Sequence, residues 1–175
     1  MGLFGRGKDE QKACYKMKER LIAIGDDYWI EGPDGEKAYK VNGKALRVRD
    51  TWTLEDRSGR EVAKIREKKL SIRDSITIEF ADGRSATVKK AMVSIRDRYN
   101  VDVENGEDLK VHGNIADHEY EIEVDGGPKI GEVSKKWLRL RDTYGVDVLD
   151  PVYTVMVLAV DPSGNLVELF QPAAR

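Results

Sequence analysis

Two sets of charged residues recur at one phase along this 175-residue chain and define the chemistry open to it. Asp50, Asp74, Asp97 and Asp142 each directly follow an arginine, and Asp26 holds the same place in an earlier copy. Carboxylates brought together at one point would make an oxygen-rich site of the kind that holds calcium. The second set is the lysine pairs Lys68-Lys69, Lys89-Lys90 and Lys135-Lys136, five to eight residues ahead of three of those aspartates. With Arg73, Arg96, Arg139 and Arg141 they could form a cationic crescent. Beside an anionic membrane each basic residue contributes on the order of 1 kcal/mol.

Each set has a plainer reading. The aspartates share the parity of the apolar residues around them, which fits a bend or β-bulge whose carboxylate is satisfied by the adjacent arginine or by backbone amides. No Asp-x-Asp-x-Asp-Gly loop supports a metal, so none is assigned. The lysines could simply protect strand rims and solubilise the surface, with Glu67, Glu132 and Asp142 diluting their field. His112 and His118 flank one turn and have no third ligand, which argues against zinc. No Gly-x-Ser-x-Gly elbow or Ser/His/Asp set appears. Gly32-Pro33-Asp34-Gly35 is a hairpin turn rather than a phosphate loop, because a strand follows it. Trp29, Trp52, Trp137, Tyr28, Tyr99 and Tyr144 alternate with polar residues and fit core and cross-strand pairs better than base-stacking platforms. No catalytic residue and no cofactor are assigned, and the protein is not expected to be an enzyme.

The elements that carry these residues follow from a repeat. Val48-Arg-Asp50-Thr-Trp52-Thr-Leu54, Ile72-Arg-Asp74-Ser-Ile76-Thr-Ile78, Ile95-Arg-Asp97-Arg-Tyr99-Asn-Val101 and Leu140-Arg-Asp142-Thr-Tyr144-Gly-Val146 are copies of one unit. From Asp26 the aspartates fall at intervals of 24, 24, 23 and 45 residues, and a degraded copy around Asp117 lies within the last gap. Six such units fill most of the chain. Their period is two: Ile76, Ile78 and Phe80 share a face against Thr77 and Glu79, which predicts half-buried antiparallel strands. Asp34-Gly35, Asn42-Gly43, Ser58-Gly59, Asp82-Gly83, Asn105-Gly106 and Gly126-Gly127 punctuate them. Asn-Gly and Asp-Gly point to type I′ turns, which need positive φ at both central residues.

Reading between turns predicts about twelve strands, at 16–24, 27–31, 36–41, 45–55, 60–66, 70–80, 85–90, 93–104, 108–113, 118–124, 129–134 and 137–149. The unit is a hairpin, one short strand and one long strand bearing the Arg-Asp motif. A meander of this length has open edges unless it closes into a barrel. Asp150-Pro151 then marks a helix start. The segment to Val160 is apolar nearly all round, so a helix there must be buried on every side, and a wide barrel offers such a place.

Composition narrows the partners. Charged residues make up 35 % of the chain, yet the net charge is only −2, which disfavours nucleic acid. Cys14 is the single cysteine, so no intramolecular disulfide forms. Residues 1–14 read as a flexible arm ahead of one domain at 15–175, with no secretory h-region, and Arg6 stands where a myristoylation signal wants Ser or Thr. The apolar run to Val160 falls short of the ~20 residues a membrane span needs. A cytoplasmic protein, peripheral at the membrane at most, is the expectation.

These features together resemble the LURP-one-related family, which is related to the tubby C-terminal domain and to phospholipid scramblases. The resemblance runs through Met17–Gly35, Val41–Gly59 and Lys68–Val160: Leu-Ser-Ile-Arg-Asp-type strands, hairpins ending in Asp-Gly or Ser-Gly, and a terminal Asp-Pro-Val apolar helix. It implies a closed twelve-stranded antiparallel barrel around a central hydrophobic helix at about 151–161. Tubby-like relatives bind phosphoinositides at a basic patch. No tubby-type phosphoinositide motif aligns here residue by residue, so no lipid site is carried over, and the helix is too short for a transmembrane scramblase. The functional expectation is a non-enzymatic intracellular module that engages anionic phospholipid headgroups through the Lys/Arg rim. The alternative is a protein-interaction or structural scaffold with no small-molecule site.

Overall fold

Alternation of apolar and polar residues produces strands because successive side chains leave a pleated backbone on opposite faces. A computed structural model describes residues 12–18, 28–42, 51–68, 75–90, 97–114, 119–134 and 143–160, and among them are twelve strands. They are β1 (Ala13–Lys18), β2 (Tyr28–Glu31), β3 (Lys37–Asn42), β4 (Thr51–Asp56), β5 (Glu61–Lys68) and β6 (Ser75–Phe80). The second half comprises β7 (Ser85–Lys90), β8 (Asp97–Glu104), β9 (Leu109–Asn114), β10 (Glu119–Val124), β11 (Lys129–Ser134) and β12 (Thr143–Val148). Each pairs antiparallel with the next, and β1 pairs with β12, so the sheet closes into a barrel. The expected strand count and order hold. One boundary shifts: β1 begins at Ala13, two residues ahead of the expected domain start, because Ala13 and Cys14 pair with Val148 and Asp147.

The inward face is apolar all round the ring. Met17, Ile30, Val41, Leu54, Ile65, Ile78, Val101, Leu109, Ile122, Val133 and Val146 are all buried. Trp52, Tyr99 and Tyr144 are core residues as expected. Trp29 is only half-buried, with the Lys37 ammonium 5.0 Å from its ring centroid, whereas Trp137 and the Tyr28 side chain lie outside the described residues. The outward face carries cross-strand ion pairs.

Five tight turns, at 32–36, 57–60, 81–84, 105–108 and 125–128, sit at one end, here termed the turn end. They are not the expected type I′ turns. In the first three only the glycine has positive φ, at 77° in Gly35, 81° in Gly59 and 89° in Gly83. Gly59 N–H donates to Asp56 C=O at 3.0 Å and Asp56 N–H to Arg60 C=O at 2.9 Å, which is a type I turn closed by a glycine bulge. The reason is an aspartate bracing each turn, next to Gly35 and Gly83 and three residues ahead of Gly59. Asp34, Asp56 and Asp82 accept hydrogen bonds from the backbone N–H of Glu36, Ser58 and Arg84, which holds the aspartate backbone in the ordinary negative-φ region.

Past β12 the Asp150 carboxylate accepts from Val152 N–H at 3.0 Å and Pro151 opens a 3-10 turn, Pro151–Tyr153, which continues as helix α1 over 154–160. Asp150 and Pro151 play the expected roles, but Val152 is 79 % exposed at the barrel mouth rather than buried. Met156, Val157, Leu158, Ala159 and Val160 are at most 3 % exposed, so α1 has no solvent face beyond its half-buried first residues, Thr154 and Val155. It fits because β11 carries Gly131, whose absent Cβ would lie 2.9 Å from Val157 Cγ1. Gly131 shares its parity with inward-facing Val133, which places α1 inside the barrel. Burial of each of its larger side chains contributes about 1.5–3 kcal/mol.

Gly131→Ala is therefore expected to lower stability by about 1–3 kcal/mol, the usual cost of overpacking a filled core. Urea unfolding checks this, and Ala substituted at the roomy turn residue Gly126 serves as a comparison for backbone strain alone.

Candidate functional site

The ten expected anion-binding cations must be located first. Lys69, Arg73, Arg96, Lys135, Lys136, Arg139 and Arg141 lie outside the described residues, as does the Lys68 side chain at the end of β5. Lys89 and Lys90 end β7 and are exposed. Lys89 Nζ meets Asp102 Oδ2 at 2.7 Å, so its charge is partly offset. Among the recurring aspartates, Asp26, Asp50, Asp74 and Asp142 lie outside the described residues, and so does the Asp97 side chain. Among the described residues no cluster of three His, Cys, Asp or Glu side chains could hold a metal ion. His112 faces Glu123 at 3.3 Å, and His118 lies outside the described residues.

The described strands nevertheless show how the ends of the barrel differ. β5 ends at Lys68 and β6 starts at Ser75; β7 ends at Lys90 and β8 starts at Asp97; β11 ends at Ser134 and β12 starts at Thr143. In an antiparallel meander these strand ends share one rim, opposite the turn end. The wall between the rims is charged but balanced. Lys16–Glu31, Lys40–Glu55, Arg66–Glu79, Lys110–Asp125 and Lys129 with Glu121 and Glu132 pair across it. Charged outside and apolar inside is the reverse of a membrane barrel. No described helix is long and apolar enough to cross a membrane.

The turn end holds a cleft that sequence reasoning missed. Between β1 and β2 only Lys16 and Glu31 pair, and Gly32-Pro33 then turns away. The wall parts beside Tyr15, leaving a cavity of about 490 Å³ lined by Tyr15, Pro33, Asp34, Tyr39, Asp56, Arg57 and Arg60 among others. The two tyrosine rings lie 6.2 Å apart, tilted at 52°. Burial raises both phenols above their ordinary value. Asp34 Oδ1 accepts from Glu36 N–H and its Oδ2 from Arg57 Nη2, both at 3.0 Å. Asp56 accepts from the Ser58 hydroxyl at 2.6 Å, from the Ser58 and Arg60 amides, and from Arg60 Nε at 2.9 Å. The Ser58 hydroxyl and then the Arg60 groups hold the Asp56 carboxyl well below the usual carboxylate range. No signal in the sequence joins Tyr15 to a turn more than forty residues away.

At the β1–β12 seam Asp147 is outward-facing by alternation yet buried, and Lys12 Nζ meets its Oδ2 at 2.6 Å. Its Oδ1 has no hydrogen-bond partner. Cys14 pairs with Asp147 in register, and burial, then the neighbouring carboxylate, pushes its thiol up to about 11.

A family model described as LURP-one-related matches residues 13–160, and the chain belongs to that family. A solved structure of a protein from Arabidopsis thaliana is similar at a TM-score of 0.51 with 15 % identity, over 86 % of this chain and 91 % of that one. That likeness speaks for the fold. No curated protein matches.

Two expectations follow from these geometries. Because the folded-state pKa of Asp56 is depressed, its stabilisation is complete above the ordinary value of 3.8 and is lost as pH falls through the folded value. Asp56→Asn should therefore lower the urea midpoint at pH 7, and the gap to the parent should close only well below pH 3.8, in midpoints measured across pH. Cys14 should react slowly with a maleimide at pH 7. Raising its pKa from 9.0 to about 11 cuts thiolate roughly 100-fold, and the greater nucleophilicity of a more basic thiolate restores roughly tenfold. Unfolding in urea should accelerate labelling at least about tenfold.

Proposed function

We propose that this protein is a non-enzymatic binding module that engages anionic phospholipid headgroups with the rim opposite the turn end. The observation that carries the reading is topological. The strand ends flanking Lys68-Lys69, Lys89-Lys90 and Lys135-Lys136 gather at one rim of a closed barrel. On this reading, cations scattered in sequence would be offered from one side of the molecule. The balanced wall supports the same assignment, since ion pairs consume most of its cations and leave the rim as the natural place for an anionic surface. Membership of a barrel family is in keeping with binding rather than catalysis.

Contact would be peripheral, through charge, with Arg73, Arg96, Arg139 and Arg141 adding to the lysines. Each cation near the surface contributes on the order of 1 kcal/mol and is screened within a Debye length of about 8 Å at physiological salt. The protein should float with phosphatidylserine-containing vesicles and not with pure phosphatidylcholine vesicles. Replacing the three lysine pairs by glutamate should abolish flotation, as should raising salt to about 1 M. Flotation that is absent, or that survives the six replacements, overturns the reading.

A further inference from the structure

The turn-end cleft has a chemical character of its own, separate from the cationic rim. Each of its carboxylate oxygens is already engaged. Both oxygens of Asp34 are engaged, and Asp56 takes hydrogen bonds from Ser58 and Arg60. Its donors are not used up. Arg57, with a side chain 55 % exposed, commits only Nη2, to Asp34, out of a five-donor fork. Arg60 commits Nε and Nη2 and leaves Nη1 over. The Tyr39 hydroxyl has no hydrogen-bond partner among the described residues. A cleft whose carboxylate oxygens are all engaged and whose guanidinium groups have N–H groups to spare favours an acceptor-rich ligand. Planar guanidinium forks match phosphate oxygens in particular.

The rest of the lining sets the body of that ligand. Tyr15, Pro33, Ala38 and Tyr39 give one side of the cleft an apolar surface, and its volume of about 490 Å³ lies within the ordinary range for small-molecule sites. The formal charges of Asp34, Asp56, Arg57 and Arg60 cancel. Recognition must then rest on hydrogen-bond geometry and apolar contact rather than on a broad positive field.

We infer that this cleft is a binding site for an organic phosphate, with the phosphoryl group on Arg57 and Arg60 and the body of the molecule against Tyr15 and Tyr39. The parting of β1 from β2 creates the opening, and the two acid-braced turns hold the arginines at its lip. Phosphate of this kind could arrive as a free phosphate ester or as a lipid headgroup, and competition by vesicles separates the two.

The full chain would be titrated with phenyl phosphate, glycerol 3-phosphate and inorganic phosphate, with amide and arginine side-chain NMR shifts as the readout. Either organic phosphate should bind more tightly than inorganic phosphate and shift Arg57 and Tyr39. Displacement of phenyl phosphate from the variant lacking the rim lysine pairs by phosphatidic acid vesicles, and not by phosphatidylcholine vesicles, assigns a headgroup, and no displacement by either assigns a free ester. Arg57→Ala should weaken binding about tenfold or more at an unchanged urea midpoint, as loss of a charge-assisted hydrogen bond would. Arg57→Lys should retain part of it. Arg84→Ala, which alters the same turn chemistry away from the cleft, should bind like the parent, and so should the variant lacking the rim lysine pairs. The inference fails if neither ester binds, if inorganic phosphate binds as tightly as both, or if Arg57→Ala binds as the parent does.

Discussion

A ring of twelve strands is too wide for its own side chains to fill, and that constraint governs the rest of the molecule. About eight strands give an interior that side chains can close. Here the space is taken by α1, whose residues from Met156 to Val160 are sealed from water. A helix in that position must be apolar on every side, which explains a segment with no polar stripe. It also demands room, and Gly131 provides it where Val157 approaches β11. Barrel and helix are mutually dependent. Without the helix the ring would enclose a cavity, and without the ring the helix would have no place to bury its surface.

Closure turns a linear repeat into a molecule with two unlike ends. The turn end is tightly braced: type I turns, glycines at positive φ and aspartates accepting backbone N–H groups recur from hairpin to hairpin. The opposite rim collects the strand ends that flank the lysine pairs. Between them the outer wall is neutralised by cross-strand pairs. Exposed pairs of this kind each contribute little stability, typically up to about 1 kcal/mol. Their larger effect is to offset charge along the wall.

The seam between β1 and β2 is where this regularity breaks. β1 is joined to β12 along its whole length by six register pairs, but among the described residues to β2 by Lys16 and Glu31 alone. The register shift at Ile30/Glu31 against β3 has counterparts at Leu54/Glu55 and Ile122/Glu123, so what sets this seam apart is that Gly32-Pro33 turns away from β1. Every other neighbouring pair of described strands shares at least four register pairs, and at this seam the cavity opens beside Tyr15 and Tyr39. Departures from a repeat are where a repeat protein acquires a particular chemistry, and the cleft sits on one.

Much of the fold was legible beforehand because it is local. Strict alternation marked Ile76, Ile78 and Phe80 or Tyr144, Val146 and Val148 as inward residues, and each is buried. Gly59 and Gly83 marked turns because few other residues accept positive φ, although Asp56 and Asp82 in the same turns changed the turn type. Asp150 and Pro151 marked the helix start. Period alone could not distinguish a strand from a helix over 154–160, and burial on all sides resolved it. The Arg-Asp pattern determined the number of hairpins, while the placement of its aspartates lies outside the described residues. Only tertiary structure decided that β1 meets β12, that Val157 needs a glycine opposite it, and that Tyr15, Tyr39, Arg57 and Arg60 surround one cavity. Those relations join residues far apart in the chain, and they exist only once the ring has closed.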